Sequence, residues 1–279
     1  METEQLKLVE AVAVKKHKIF SKSKPRFLLR SVIAGMFIGF GVIAAYKTGN
    51  FFYLEDSPLA YPVAALTFGA AIILVAYGGG DLFTGNTFYF TYAALKKKIR
   101  WPDVLRIWTA SYFGNLVGAV LFALLVLGTG LFDDGSANGF LLSAAEKKMN
   151  APVMELFFRG ILCNWLVSMA FYVPMTQKGD GAKMFTMLLF VFVFFVSGYE
   201  HSIANMGTFA VALLIDHPDT ITLAGAVRNL IPVTLGNIVG GGLMMAAVYY
   251  YLNRPLPGET EMNAESSDLV HIHRSQANL

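Results

Sequence analysis

Two apolar stretches in this chain are too long to be single membrane crossings, and each is interrupted near its middle by a polar, glycine-containing cluster. Leu59–Tyr92 is broken at Gly78-Gly79-Gly80-Asp81, and Met184–Ile215 at Ser197-Gly198-Tyr199-Glu200-His201. Four other stretches, Leu28–Tyr46, Ile107–Leu127, Pro152–Met175 and Leu230–Leu252, have the length of ordinary spans, since about 20 apolar residues cross the ~30 Å hydrocarbon core. Backbone groups left unpaired cannot face lipid, because each costs several kcal/mol. Non-helical backbone at mid-membrane therefore survives only inside protein or along a wet cavity. The pattern predicts an all-α membrane protein of six transmembrane helices whose second and fifth spans are broken.

Composition agrees. With 55% hydrophobic and only 15% charged residues, and a mean hydropathy of +0.53, the chain lacks the charge that keeps a soluble domain of this size wet. The net charge is +3, and the basic residues fall mainly in the N-terminal segment and in alternate loops. That distribution sets membrane orientation and argues against nucleic-acid binding. Lys96, Lys97, Lys98, Arg100, Arg106, Lys178, Lys183 and Arg254 share the side of the basic N-terminus. Glu55, Asp56, Asp133, Asp134, Glu146, Asp216 and Asp219 lie opposite, together with Lys147, Lys148 and Arg228. Both termini are therefore expected in the cytoplasm, with the protein in the cell membrane.

Three regions are expected. Residues 1–26 form a cytoplasmic segment in which residues 5–24 alternate apolar and basic groups at helical spacing, as in an amphipathic helix lying on a membrane surface. Residues 27–252 form the six-span domain, and the polar residues 253–279 a disordered tail. The basic N-terminus lacks the apolar core and cleavage pattern of a secretory signal, so the first span is expected to direct insertion. Cys163, the one cysteine, lies in an apolar run. It makes neither a disulfide nor a zinc pattern and reads as a small buried hydrophobe.

The chain also repeats itself. Gly114-Asn115-Leu116-Val117-Gly118 in the third span matches Gly236-Asn237-Ile238-Val239-Gly240 in the sixth. The two breaks match at nearly the same offset: Asp81 pairs with Glu200, and Asn86 and Asn205 each follow their acid by the same interval. Arg30 and Arg159 both sit early in an apolar run, a weaker correspondence. Three spans per half is an odd number, so the second half enters from the opposite side and the halves are inverted about an axis in the membrane plane.

Two breaks meeting at mid-membrane imply a polar pathway. Each is followed by a half-helix, starting near Thr84 and near Ser202, whose first N–H groups lack intrahelical partners and attract anions. A pair of purely structural kinks would not require Asp81, Glu200 and His201 at that depth. The two carboxylates read as groups that hold the breaks open. His201, whose unperturbed pKa is about 6.5, is the candidate pore residue, because an intramembrane ionisable group is functional by default. Thr84 supplies a hydroxyl on the opposite break. Asn237 is placed to position His201, Asn164 to face the pathway, and Asn115 to pack helices. Arg159 either snorkels to the interface or pairs with Asp81 or Glu200; the sequence does not decide. The Gly236, Gly240, Gly241 and Gly242 cluster permits close helix approach. A neutral-solute channel fits the twin asparagines Asn86 and Asn205 loosely, but no Asn-Pro-Ala pair appears. A membrane-embedded enzyme lacks any accompanying nucleophile or metal-ligand motif, so no cofactor or metal is expected.

Four segments carry a resemblance: Gly80-Asp81-Leu82-Phe83-Thr84, Ile161-Leu162-Cys163-Asn164, Gly198-Tyr199-Glu200-His201-Ser202-Ile203-Ala204-Asn205-Met206, and Asn229 through Gly242. Over about residues 25–252 the chain resembles the formate/nitrite transporter family. The resemblance implies an aquaporin-like fold, a homopentamer in the lipid bilayer and one pore per protomer. It implies Thr84 on a mobile loop, His201 as the central histidine and Asn237 as its partner. It also implies Lys148 near the outer pore mouth, and Phe68, Ile72, Leu82, Phe83 and Phe194 at two apolar constrictions. Ile72 stands where some members carry leucine. The expected activity is passage of small monovalent anions of weak acids, formate first and nitrite second, linked to protons through His201.

Overall fold

A computed structural model describes residues 2–254, so the expected tail lies outside the described residues from residue 255 onward. The described chain is all-helical. It runs α1 (Glu2–Lys22), α2 (Lys24–Tyr53), α3 (Ala60–Phe68), α4 (Ala70–Gly78), α5 (Phe83–Leu95), α6 (Trp101–Leu127), α7 (Gly139–Asn150), α8 (Val153–Tyr172), α9 (Asp180–Val196), α10 (Ser202–Ala212), α11 (Leu223–Val239) and α12 (Val248–Leu252). A π-helical stretch, Gly240–Ala247, joins the last two.

Among the described residues, five helical segments are long and apolar enough to cross a membrane: Lys24–Tyr53, Ala60–Gly78, Trp101–Leu127, Val153–Thr176 and Leu223–Leu252. The fifth apolar stretch of the sequence instead divides into α9, of 17 residues, and α10, of 11. Large apolar side chains such as Leu29, Phe51, Leu66, Leu125 and Phe185 point outward, as a lipid-facing surface requires.

Both expected interruptions are present, and they are built alike. Gly79 ends α4 at φ 74°, and Gly198 follows α9 at φ 74°. This left-handed conformation is costly for any residue with a Cβ and routine for glycine. The chain then extends through Leu82 and His201, which take β-region angles as the N-caps of α5 and α10. A further single-residue break at Gly69 separates α3 from α4.

The tightest helix pairs are α2 with α6 and α8 with α11. Gly35 and Gly118 lie where a Cβ would strike the backbone of Asn115 and Val32, and Gly160 and Gly236 where it would strike Val233 and Phe157. Small residues thus bring the backbones together, as they must where lipid supplies no hydrophobic drive for association.

The amphipathic N-terminal helix forms, but its apolar face does not lie on a membrane surface. Leu6, Val9 and Ala13 are buried in one cluster with Phe88, Phe90 and Ala93 of α5 and Ile107 of α6. The Gln5 side chain donates to the Val173 carbonyl at 3.4 Å.

Candidate functional site

Each break is braced by one buried asparagine, and the two braces use equivalent atoms. At the first, the Phe83 N–H donates to Asn115 Oδ1 at 2.9 Å, and Asn115 Nδ2 donates to the Asp81 carbonyl at 3.0 Å and the Ser31 carbonyl at 2.7 Å. At the second, the Ser202 N–H donates to Asn237 Oδ1 at 2.9 Å, and Asn237 Nδ2 donates to the carbonyls of Glu200 at 2.9 Å and Gly160 at 2.8 Å. The acids' own N–H groups are taken by the preceding span: Asp81 donates to the Arg30 carbonyl and Glu200 to the Arg159 carbonyl. Asn115, expected only to pack helices, does the same work as Asn237. Each asparagine thereby takes the first N–H of its half-helix, that of Phe83 in α5 and that of Ser202 in α10.

His201 projects into the gap. Its Nδ1 accepts the Ala204 N–H at 3.1 Å, capping α10, and its Nε2 lies 2.9 Å from Thr84 Oγ1 on the opposite break. With Nδ1 an acceptor, a neutral ring carries its proton on Nε2 and donates it to Thr84. A proton added at Nδ1 would break the cap. Asn237 therefore fixes the backbone on either side of His201 and does not touch the ring. Asn164 Nδ2 contacts the Thr84 carbonyl at 3.2 Å, Thr87 Oγ1 at 2.9 Å and the Asn237 carbonyl at 2.6 Å, tying both halves together beside the gap.

A charged cavity lies on each side. On one side Lys148 from α7 and His201 line a cavity of about 20 Å³ with Tyr46, Phe68, Phe194 and Thr208. Lys148 Nζ is 2.9 Å from Glu200 Oε2, which also accepts from Asn205 Nδ2 at 2.6 Å. Burial pulls the Lys148 ammonium down most strongly, but the Glu200 carboxylate together with the Tyr46 and Tyr61 side chains outweighs it and holds the group above the usual lysine range. On the other side Lys16, Arg30, Gly79, Gly80, Leu82 and Tyr89 line a cavity of about 200 Å³. There Lys16 Nζ is 3.0 Å from Asp81 Oδ1 and 2.9 Å from Asn86 Oδ1, and Arg30 Nε is 2.5 Å from Asp81 Oδ2.

Residues 3–251 match the family described as Formate/nitrite transporter. The chain belongs to the formate/nitrite transporter family. It is 64% identical over 253 residues to "Uncharacterized transporter YwcJ" of Bacillus subtilis, covering 91% of this chain and 99% of that one. To "Nitrite transporter NirC" of Escherichia coli it is 38% identical over 234 residues, covering 82% and 86%. Among solved structures it is similar to an "FNT family ion channel" (TM-score 0.85, 36% identity, 90% of this chain and 100% of the other). It is also similar to a "Pentameric formate channel with formate bound" (TM-score 0.71, 28% identity, 83% and 98%). The family is one of transporters, and this chain is not an enzyme.

Phe68, Ile72, Leu82, Phe83 and Phe194 are all buried in one apolar cluster. Phe194 stacks on the His201 ring with centroids 6.0 Å apart and meets Phe68 edge-on at 6.0 Å. Leu82 faces the Lys16 cavity. The Phe83 ring packs on Tyr112 at 5.0 Å, and neither it nor Ile72 lines the two cavities. Arg30 is marked in the sequence only by its weak correspondence to Arg159, and Lys16 only by the basic stripe of the N-terminal segment; neither signal points to the cavity they line. Of the alternatives left open for Arg159, neither carboxylate pairing occurs: its Nη2 binds Glu155 Oε2 at 2.6 Å, one turn back on α8.

Proposed function

We propose that this member of the family is a membrane channel for small monovalent anions of weak acids, formate first and nitrite second, that carries them across its narrowest point as the neutral acid. The relatives' names supply the substrate class, and the paired braces at Asn115 and Asn237 support a fold of two inverted three-helix halves. In that reading α9, the second break and α10 complete a sixth span. The resemblance to a pentameric formate channel supports a homopentamer with one pore per protomer. The basic loops put both termini in the cytoplasm, with Lys16 on the inner side and Lys148 on the outer.

The observation that carries the mechanism is the Thr84 to His201 hydrogen bond of 2.9 Å, set between two cavities that each hold a lysine paired to a carboxylate. The lysines raise the local anion concentration. Between them lie Phe68, Phe194 and Leu82, where an isolated ion would lose its hydration at a cost of many kcal/mol while a neutral acid loses far less. The anion takes a proton at the edge of this apolar zone. His201 relays it: a proton arriving from the cavity side adds at Nδ1, opening the α10 cap, as Nε2 hands its own proton through the Thr84 hydroxyl to the anion, and the ring returns to the Nε2 tautomer when the cap re-forms. At rest Nδ1 accepts the α10 cap hydrogen bond, so protonation there is transient, which favours relay over a permanently cationic ring. A pH series of labelled formate uptake in proteoliposomes with His201→Asn tests this reading. A flattened pH dependence with lower flux is expected, and a pH profile identical to the unaltered protein would refute the relay.

A further inference from the structure

We propose that the Lys16 cavity is a docking site for one small planar oxyanion, gripped end-on by the Arg30 guanidinium. The proposal rests on the anion-channel reading and adds to it a residue that selects among anions.

Charge comes first. Asp81 faces two cations, Lys16 at 3.0 Å and Arg30 at 2.5 Å, and the other titratable side chain lining this cavity is Tyr89. One carboxylate neutralises one cation, so a positive charge is left over. The Lys148 cavity differs: there one lysine meets one carboxylate, and Arg159, the counterpart of Arg30, is turned toward Glu155. The surplus belongs to the Lys16 side alone.

Geometry comes second. Arg30 holds Asp81 through Nε, leaving Nη1 and Nη2 without a hydrogen-bond partner among the described residues. Both lie over Gly79 of the first break, where an added Cβ would come 3.4 Å from Nη1 and 3.8 Å from Nη2. The guanidinium end thus faces the cavity wall where a side chain is missing. The cavity, about 200 Å³, holds a formate or nitrite with several waters, since a water occupies about 30 Å³ in the liquid.

Chemistry comes third. A guanidinium presents parallel N–H groups in a rigid fork that matches two oxygens on one plane, whereas an ammonium is a point charge. Formate, nitrite and small carboxylates offer two such oxygens. Hydrosulfide and chloride offer one atom and gain only from the charge.

Arg30→Lys keeps the charge and removes the fork. Binding is read as the rise in melting temperature of the purified protein on titration with sodium formate, sodium nitrite or sodium chloride. The expected result is a loss of roughly tenfold or more in apparent affinity for formate and nitrite, the worth of a charged hydrogen bond, with the chloride response unchanged. Equal losses for all three anions, or no loss, would overturn the proposal. Should Arg30→Lys fail to fold, the unaltered protein decides: formate must act at concentrations at least about tenfold below chloride, and parity overturns the site. Absence of formate flux through the unaltered protein in liposomes would sink the channel reading. That outcome leaves the binding comparison to judge Arg30 on its own.

Discussion

Replacing Asn237 by leucine keeps the side chain's approximate volume and removes the amide that holds the second break. Three buried groups lose their partner: the Ser202 N–H and the Glu200 and Gly160 carbonyls, at 2.9, 2.9 and 2.8 Å. Each stranded buried group costs about 1–3 kcal/mol. The Gly160 carbonyl keeps access to its helical ladder, so the sum is about 3–5 kcal/mol. Asn115→Leu removes the corresponding partners of Phe83, Asp81 and Ser31 and is predicted to cost a similar amount. The braces share no partner, so the double variant should lose the two costs nearly additively. Denaturant unfolding of the detergent-purified protein, followed by tryptophan fluorescence, measures this. Asn150→Ala, which removes only an exposed bond to the Glu146 carbonyl, serves as a control within about 0.5 kcal/mol. If either brace variant unfolds within about 1 kcal/mol of the unaltered protein, the asparagines do not hold the breaks and the reasoning is refuted.

Other outcomes follow from the same geometry. Gly198→Ala meets no neighbouring atom within 4 Å, so its cost is backbone strain at φ 74° alone, about 1–2 kcal/mol by melting. Thr84→Val keeps the shape but loses the bond to His201, and formate flux should fall about tenfold, with Thr84→Ser restoring most of it. Because Glu200 holds the Lys148 ammonium above the usual lysine range, the charge is fully present below that raised value. Capture from that side should therefore stay flat between about pH 6 and 9, and Lys148→Gln should raise the half-saturating formate concentration. Arg159→Gln breaks an exposed pair and should shift the melting free energy by under about 0.5 kcal/mol.

The breaks were legible because acids and glycines interrupt apolar runs, a combination lipid does not tolerate. The likeness of the two braces left a mark in the matching Gly-Asn pairs at Asn115 and Asn237. What the sequence hid was direction. The stripe on α1 has one period whether it meets lipid or protein, so the burial of Leu6, Val9 and Ala13 against α5, and the reach of Lys16 to Asp81, left no local mark. The two arginines did leave one. Arg159 has Glu155 one turn before it, whereas Arg30 has Arg26 there. An arginine with no local acid and a like charge behind it must seek its carboxylate elsewhere, and Arg30 finds Asp81. The π-helical stretch at Gly240–Ala247, where Gly241 packs against Thr87 and Asn164, followed from no periodicity. The glycine cluster announced close approach and nothing more.

The claim that the acid crosses uncharged is tested most directly by recording internal pH and membrane potential together in proteoliposomes given an inward formate gradient. Electroneutral entry is predicted, with one proton appearing inside per formate and no potential developing. Formate entry that builds an inside-negative potential and leaves internal pH unchanged would contradict it.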